Sequence, residues 1–274
     1  MKLCCSGSSL EQGDTLLISI HSHLVYTAQN PCNLILQIEA AEDETQTCKS
    51  ATLSLKSDIE WRLVKGEEDI GVRRWGRVEG LFDCTYQAQV QVDQPAIEMG
   101  HLNKTSLTAL PSDVTKFLMP SRYCHTEDFL DFVPKQFGQL SGGPLIQEMA
   151  EWIKDNFTYD ISASNGSTTA TNSFVARAGV CRDYAHVLIA MSRAVGIPAR
   201  IVSAYAPNVS PQDFHAVVEV FLDGHWHLID PTGMAKAPKI VRIGVGRDAA
   251  DISFMTSYGW MELKKQTVQV SRIE

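Results

Sequence analysis

The chain has 274 residues, 44% of them hydrophobic and 20% charged, and 24 Lys+Arg against 32 Asp+Glu give a formal charge of −8. Such a composition buries a sizeable core, which excludes disordered and fibrous classes, and the length fits two domains or one large one. The acidic balance argues against nucleic acid or an anionic membrane as partner, no apolar run reaches the roughly 18–20 residues of a membrane span, and the start MKLCCSGSSLEQGD lacks the apolar stretch of a secretory signal.

Residues 14 to about 100 read as short strands separated by turn signals. Leu16 to Ile20, Leu34 to Ile38, Ala51 to Leu55 and Ala88 to Val92 are strand candidates, the last alternating cleanly before the breaker Asp93-Gln94-Pro95. Their spacing predicts an antiparallel sandwich or packed sheet over 1–110. Residues 111–143, rich in Pro, Gly and Ser, read as a linker, and 144–274 as a second domain. Within it, Leu145, Met149, Trp152, Ile153 and Phe157 follow Pro144 at helical spacing. A polar stretch over 162–171 leads to a short helix ended by Gly179. A third helix over 181–195 carries the apolar stripe Tyr184, Leu188, Met191 and Val195, stopped by Gly196 and Pro198. Strands follow at 199–204, 214–222 and 225–230.

Seven cysteines, at 4, 5, 32, 48, 84, 124 and 181, lie without regular spacing, the usage of a reducing cytoplasm. Cys181 stands apart because a Gly-containing turn enters a helix there. The unpaired N–H groups of that first turn favour a thiolate, Arg182 adds positive charge, and Asp183 opposes it while suiting the dipole. The Cys181 N–H is also placed to hold the oxygen of a tetrahedral intermediate.

Downstream, Phe214 to Leu222 ends at Asp223-Gly224, a strong hairpin signal, and His225 to Asp230 follows. With a two-residue loop, Val217 lies opposite Asp230 and His215 opposite Thr232. His215 and Asp230 are then diagonal neighbours on one face, and a slip of one residue would separate them. A thiol nucleophile needs a base, and the base needs a group that fixes its tautomer, the roles open to His215 and Asp230. Taken alone, the pair also reads as a satisfied strand histidine and an Asp-Pro turn.

The runs Ala178-Gly179-Val180-Cys181-Arg182-Asp183-Tyr184-Ala185-His186, Gly196-Ile197-Pro198-Ala199-Arg200, Asp213-Phe214-His215-Ala216 and Leu228-Ile229-Asp230-Pro231-Thr232 resemble the bacterial transglutaminase-like superfamily. Val241 to Gly244, Gly246 to Asp251 and Met119-Pro120-Ser121-Arg122-Tyr123 extend the resemblance, the last matching the segment that joins that family's β-rich N-terminal region to its core. The resemblance implies a papain-like α+β core, with the cysteine-bearing helix packed on an antiparallel sheet behind an N-terminal β-sandwich-like domain. It also implies a triad of Cys181, His215 and Asp230. The chain departs from the usual pattern at Asn172, where many relatives are acidic, a change that bears on a substrate contact rather than on the triad.

His225 with His227, and His21 with His23, share strand faces but lack Cys or acidic partners there, so no metal site is expected. Tyr159, Arg182 and Asp183 are candidates for substrate contact or a second oxyanion donor. Trp152 reads as core, His186 as a packing or hydrogen-bonding residue, and Cys4-Cys5 as terminal thiols. The expectation is a cytoplasmic enzyme that needs no cofactor and hydrolyses a peptide or protein amide through a thioester. Acyl transfer to lysine and a non-catalytic binding protein are the alternatives. Whether the N-terminal region recognises substrate, covers the groove or mediates homo-oligomerisation stays open.

Overall fold

The computed structural model describes residues 16–56 and 59–273, so Cys4-Cys5 lies outside the described residues. Two long strands organise the first part: β1 (Leu16–Leu36) pairs antiparallel with β4 (Val72–Val92), flanked by β2 (Gln46–Leu55) and β3 (Arg62–Lys65) on β4. Strict alternation drives this pairing, since Leu16, Ile18, Ile20, Ser22, Leu24 and Tyr26 all turn inward while the residues alternating with them are half-buried. The β1/β4 register breaks between Ala28 and Cys32, where Asn30-Pro31 interrupts the ladder.

The next segment, read as a linker over 111–143, packs instead. Phe117, Cys124, Phe129 and Val133 are almost wholly buried, and the last lies in α1 (Phe132–Phe137). Helix α2 (Gly142–Asn156) buries Leu145, Met149 and Ile153, as the spacing predicts. Beyond it, β5 (Thr158–Tyr159) pairs in parallel with β6 (Ala178–Gly179), and α3 (Ala170–Ala176) lies between them. Helix α3 ends at Arg177, whose backbone is left-handed, rather than at Gly179. The Arg177 guanidinium caps an aromatic cluster, 4.5 Å from the Trp152 ring centre and 4.0 Å from that of Phe174.

Helix α4 (Cys181–Ala194) buries every residue from Asp183 to Arg193, so it is a core helix rather than an amphipathic one with a single stripe. It packs on the sheet formed by β7 (Ala199–Tyr205), β8 (His215–Leu222), β9 (His225–Ile229) and β10 (Val241–Gly246), in the order β10-β7-β8-β9. Ile201, Val218 and Val220 face the helix, while Val202, Ala204 and Val217 join a second core with Ile240 and Val245. Covered on both faces, β7 and β8 lose the alternation of an exposed sheet.

After α5 (Ala249–Ile252), strands β11 (Met255–Tyr258) and β12 (Met261–Ile273) return to the N-terminal sheet and pair with β1. Strands β11 and β12 thus complete the sheet built by β1 to β4, although the sequence assigns them to the second domain. Tyr205, Val241 and Ile243 enter the core of that sheet, so the two sheets share apolar packing. A buried charge cluster ties them as well. Glu219 accepts hydrogen bonds from Arg200 Nε at 2.7 Å and Arg242 at 2.9 Å, Arg200 reaches Glu68, and Arg242 reaches Asp43.

Candidate active site

Cys181 is the first residue of α4 and is 9% exposed. The helix begins there because Val180 is extended and Asp183 folds back, its Oδ2 accepting the Val180 N–H at 2.9 Å. Gly179 permits this cap: a Cβ at that position would meet Asp183 side-chain atoms at 2.7 Å. Asp183 is therefore fully buried and occupied, and it does not reach the cleft. Arg182 is also occupied, since its NH2 group donates to Ser164 Oγ at 2.6 Å, the Asn165 carbonyl at 2.7 Å and Asp183. Of these two substrate candidates, only Arg182 lines the cleft.

The hairpin has the two-residue Asp223-Gly224 loop, with Leu222 opposite His225 and Val218 opposite Ile229. That register puts Asp230 just past the end of β9, on the side of His215. The His215 Nε2 to Asp230 Oδ2 distance is 2.9 Å, and the two side chains are 0% and 1% exposed. Asp230 is itself held: its Oδ1 accepts from Thr232 N at 2.9 Å and Thr232 Oγ1 at 2.7 Å, and its Oδ2 accepts from Ala235 N at 2.8 Å. The Asp-Pro turn and the imidazole partner are thus one device, not competing ones.

With Nε2 committed to Asp230, Nδ1 is the ring atom left for the thiol. It is buried and makes no fully formed hydrogen bond, yet Cys181 bears on the ring strongly enough to affect its titration. Burial pulls the His215 pKa down, but hydrogen bonds and charge from Asp230 and Cys181 outweigh it and raise it to about 10. Burial pushes Asp230 up, and the His215 contact with the Ala235 and Thr232 donors brings it below the ordinary carboxylate value. The raised pKa favours the imidazolium, the form that can pass a proton to a leaving group.

Tyr159, pinned by the β5–β6 pairing opposite Gly179, lies against Cys181. Burial raises its pKa, the Cys181 charge adds to this, and the Cys181 backbone N–H opposes it. Tyr159 thus lies beside the residue whose N–H the sequence marks as an oxyanion donor.

Cys181 and His215 open on a cleft of about 470 Å³. One wall comes from Arg122, Tyr123 and Ala249, and the other from Asp213, Phe214 and Phe254, with Met255 and Gln266 from the N-terminal sheet. Gln212 clamps this second wall to β12 by a reciprocal pair, donating to the Val270 carbonyl at 3.0 Å and accepting the Val270 N–H at 2.8 Å. Sequence reasoning assigns no role to Arg122, Phe254, Met255 or Gln266. Arg122 lies in the Met119 to Tyr123 segment, but its place in the cleft depends on contacts far apart in the chain.

The other candidates have local employment. His186 is buried, stacks on Tyr123 with ring centres 5.1 Å apart, and accepts the Ala249 N–H at 3.2 Å. Its burial and the nearby Arg182 and Arg193 push its pKa down to about 3, so it is neutral. His23 pairs with Asp83 at 2.9 Å, and His227 Nε2 donates to the Leu222 carbonyl at 3.0 Å. Asn172 closes the capping box of α3, its Oδ1 accepting from Thr169 N at 3.0 Å and Thr169 Oγ1 at 2.8 Å. That is helix-starting work an acidic residue also performs.

Residues 138–231 match the model of the transglutaminase-like superfamily. A crystal structure of a candidate cysteine protease from Cytophaga hutchinsonii is 29% identical with a TM-score of 0.91, covering 96% of this chain and 92% of that one. An uncharacterized protein of Mycobacterium leprae is 27% identical over 202 residues, 65% of this chain and 71% of its own length. An uncharacterized protein of Mycobacterium tuberculosis is 28% identical over 158 residues, 51% of this chain and 48% of its own, so the match spans about half of that relative. Among the described residues no helix is long and apolar enough to cross a membrane.

Proposed function

Since residues 138–231 belong to the transglutaminase-like superfamily, we propose that this cysteine-dependent enzyme hydrolyses a peptide, isopeptide or side-chain amide with Cys181 as nucleophile, His215 as base and acid, and Asp230 as orienter. The observation that carries the reading is the imidazole of His215, held on Nε2 by a buried carboxylate at 2.9 Å and left with Nδ1 toward a thiol at a helix start.

The thiolate attacks the amide carbonyl, and the developing oxyanion rests on the Cys181 N–H. As the C–N bond breaks, His215 gives its proton to the departing amine or ammonia and leaves a thioester on Sγ. Neutral His215 then takes a proton from water, hydroxide adds to the thioester, and collapse releases the carboxylic acid and restores the thiolate–imidazolium pair. No cofactor takes part in these steps. A peptide or protein substrate and a reducing cytoplasmic setting complete the proposal, the latter supported by five scattered free thiols among the described residues.

The test is alkylation by iodoacetamide between pH 5 and 8 with labelled residues mapped by mass spectrometry. Burial pushes the Cys84 and Cys124 thiols up to about 12, so they should stay unlabelled while Cys181 reacts even below pH 7. Labelling of Cys181 no faster than these would defeat the reading and favour a non-catalytic binding protein. Product analysis with and without an added lysine amine then separates hydrolysis from acyl transfer.

A further inference from the structure

The Met119 to Tyr123 and Gly246 to Asp251 stretches, which the chemistry above leaves unused, form one rigid cleft wall. Tyr123 is fixed at every polar end: its N–H donates to Asp248 Oδ2 at 2.9 Å, its carbonyl accepts the Ala170 N–H at 2.8 Å, and its hydroxyl donates to the Gly166 carbonyl at 2.8 Å. The Tyr123 ring stacks on neutral His186 at 8° between planes, and His186 holds Ala249 from below. From this wall Arg122 projects to the cleft, exposed, with its guanidinium 5.1 Å above the Tyr123 ring.

Arg122 and Arg182 are the two arginines lining the cleft, and they differ in what they have left to give. Arg182 is consumed by Ser164, Asn165 and Asp183. Among the described residues Arg122 makes no hydrogen bond or ion pair, and stacking on a ring face leaves its N–H edges free. The carboxylate on the opposite wall, Asp213, is engaged by Gln266 Nε2 and by the Phe214 N–H, both at 2.8 Å. Beside it Phe214 and Phe254 stack face to face at 4.6 Å and 7°, an apolar surface continued by Met255.

We propose that Arg122 is a specificity-determining residue that binds a carboxylate of the substrate, so that the cleft takes acidic peptides in which an apolar side chain neighbours a Glu or Asp. This rests on the amide-hydrolase reading only for what happens after binding. The guanidinium fork matches a carboxylate with two parallel N–H donors, and the Tyr123 platform holds it ready. The apolar neighbour packs on the Phe214–Phe254 pair.

Binding tests this without relying on turnover. The probes are acetylated peptide amides containing one Phe and one variable position, set to Glu, Gln or Lys and scanned over three positions on each side of the Phe. Dissociation constants are measured with the Cys181→Ala protein, which cannot react. At one or more positions the Glu peptide should bind at least tenfold more tightly than its Gln isostere. Adding Arg122→Gln should reduce that ratio below threefold, and Arg122→Glu should turn the preference toward Lys. A Glu/Gln ratio unaffected by Arg122→Gln, or no binding of any Glu peptide, overturns the assignment. Inert Cys181 in the alkylation experiment defeats the amide-hydrolase reading instead and leaves these binding ratios to be judged separately.

Discussion

Replacing Asp230 with Asn changes one oxygen for an NH2 group and tests the core of the proposed chemistry. The Asp230 carboxylate is buried and receives four hydrogen bonds: from Thr232 N, Thr232 Oγ1, Ala235 N and His215 Nε2. If the Asn carbonyl keeps the Thr232 pair, its NH2 faces His215 Nε2 and the Ala235 N–H. Nε2 must then become an acceptor, which moves the imidazole proton to Nδ1, the atom that has to receive the thiol proton. The ion pair is lost as well. The rise of His215 from 6.5 to about 10, achieved against burial by Asp230 and Cys181 together, is worth roughly 5 kcal/mol at about 1.4 kcal/mol per pH unit. Losing Asp230's share of that rise, together with the wrong tautomer, should lower turnover by about 10²–10⁴.

The fold should survive, because the donor facing the Ala235 N–H costs about 1–3 kcal/mol. That cost has a pH signature. His215 has a raised pKa, so its pairing contributes in full below about 6.5 and is lost as pH rises through about 10. Asp230 has a lowered pKa, so its contribution holds above the ordinary carboxylate range and is lost as pH falls. The stability gap between wild type and Asp230→Asn is accordingly widest near neutrality and narrows toward both extremes. Urea unfolding across pH gives the gap, and iodoacetamide labelling of Cys181 gives the chemistry. A variant that folds, labels and turns over like the wild type would refute the orienting role.

Further substitutions separate packing from chemistry. Asn172→Ala removes the Oδ1 that accepts both Thr169 hydrogen bonds and closes the α3 capping box, and should cost about 1 kcal/mol in urea unfolding, with the Cys181 labelling rate unchanged. Leu188→Ala, at a fully buried position of α4, should cost about 2–5 kcal/mol by the same measurement. Glu219→Leu removes the carboxylate shared by Arg200 and Arg242, leaving only Glu68 and Asp43 to pair with them, and should cost about 3–5 kcal/mol if both arginines stay buried. A loss below 1 kcal/mol would mean that water or other groups take over the arginines.

What could be read from the residues alone was local. The period of 145–157 gave α2, the alternation of 16–20 and 88–92 gave parts of β1 and β4, and Asp223-Gly224 gave the β8–β9 register. From that register followed the His215–Asp230 diagonal, because side-chain parity in a two-residue hairpin admits one answer. Cys181 was legible as a helix start for the same reason, since the extended turn and the acid at position 183 lie within three residues of it.

The remainder was decided by pairings that no local window contains. Residues 261–273 close the first sheet on β1 across more than two hundred residues, and nothing in their alternation names that partner rather than another strand. The same closure brings Met255 and Gln266 to the cleft, and the packing of 119–123 against 248–249 brings Arg122. Helix α4 shows the limit most clearly: its polar residues imply a solvent face, yet Asp183, His186, Ser192 and Arg193 are each satisfied or neutralised by neighbours and buried. Sequence thus determined the chemical groups and their local geometry. Tertiary structure decided which walls face them, because burial and long-range pairing depend on complementary surfaces that meet only after folding.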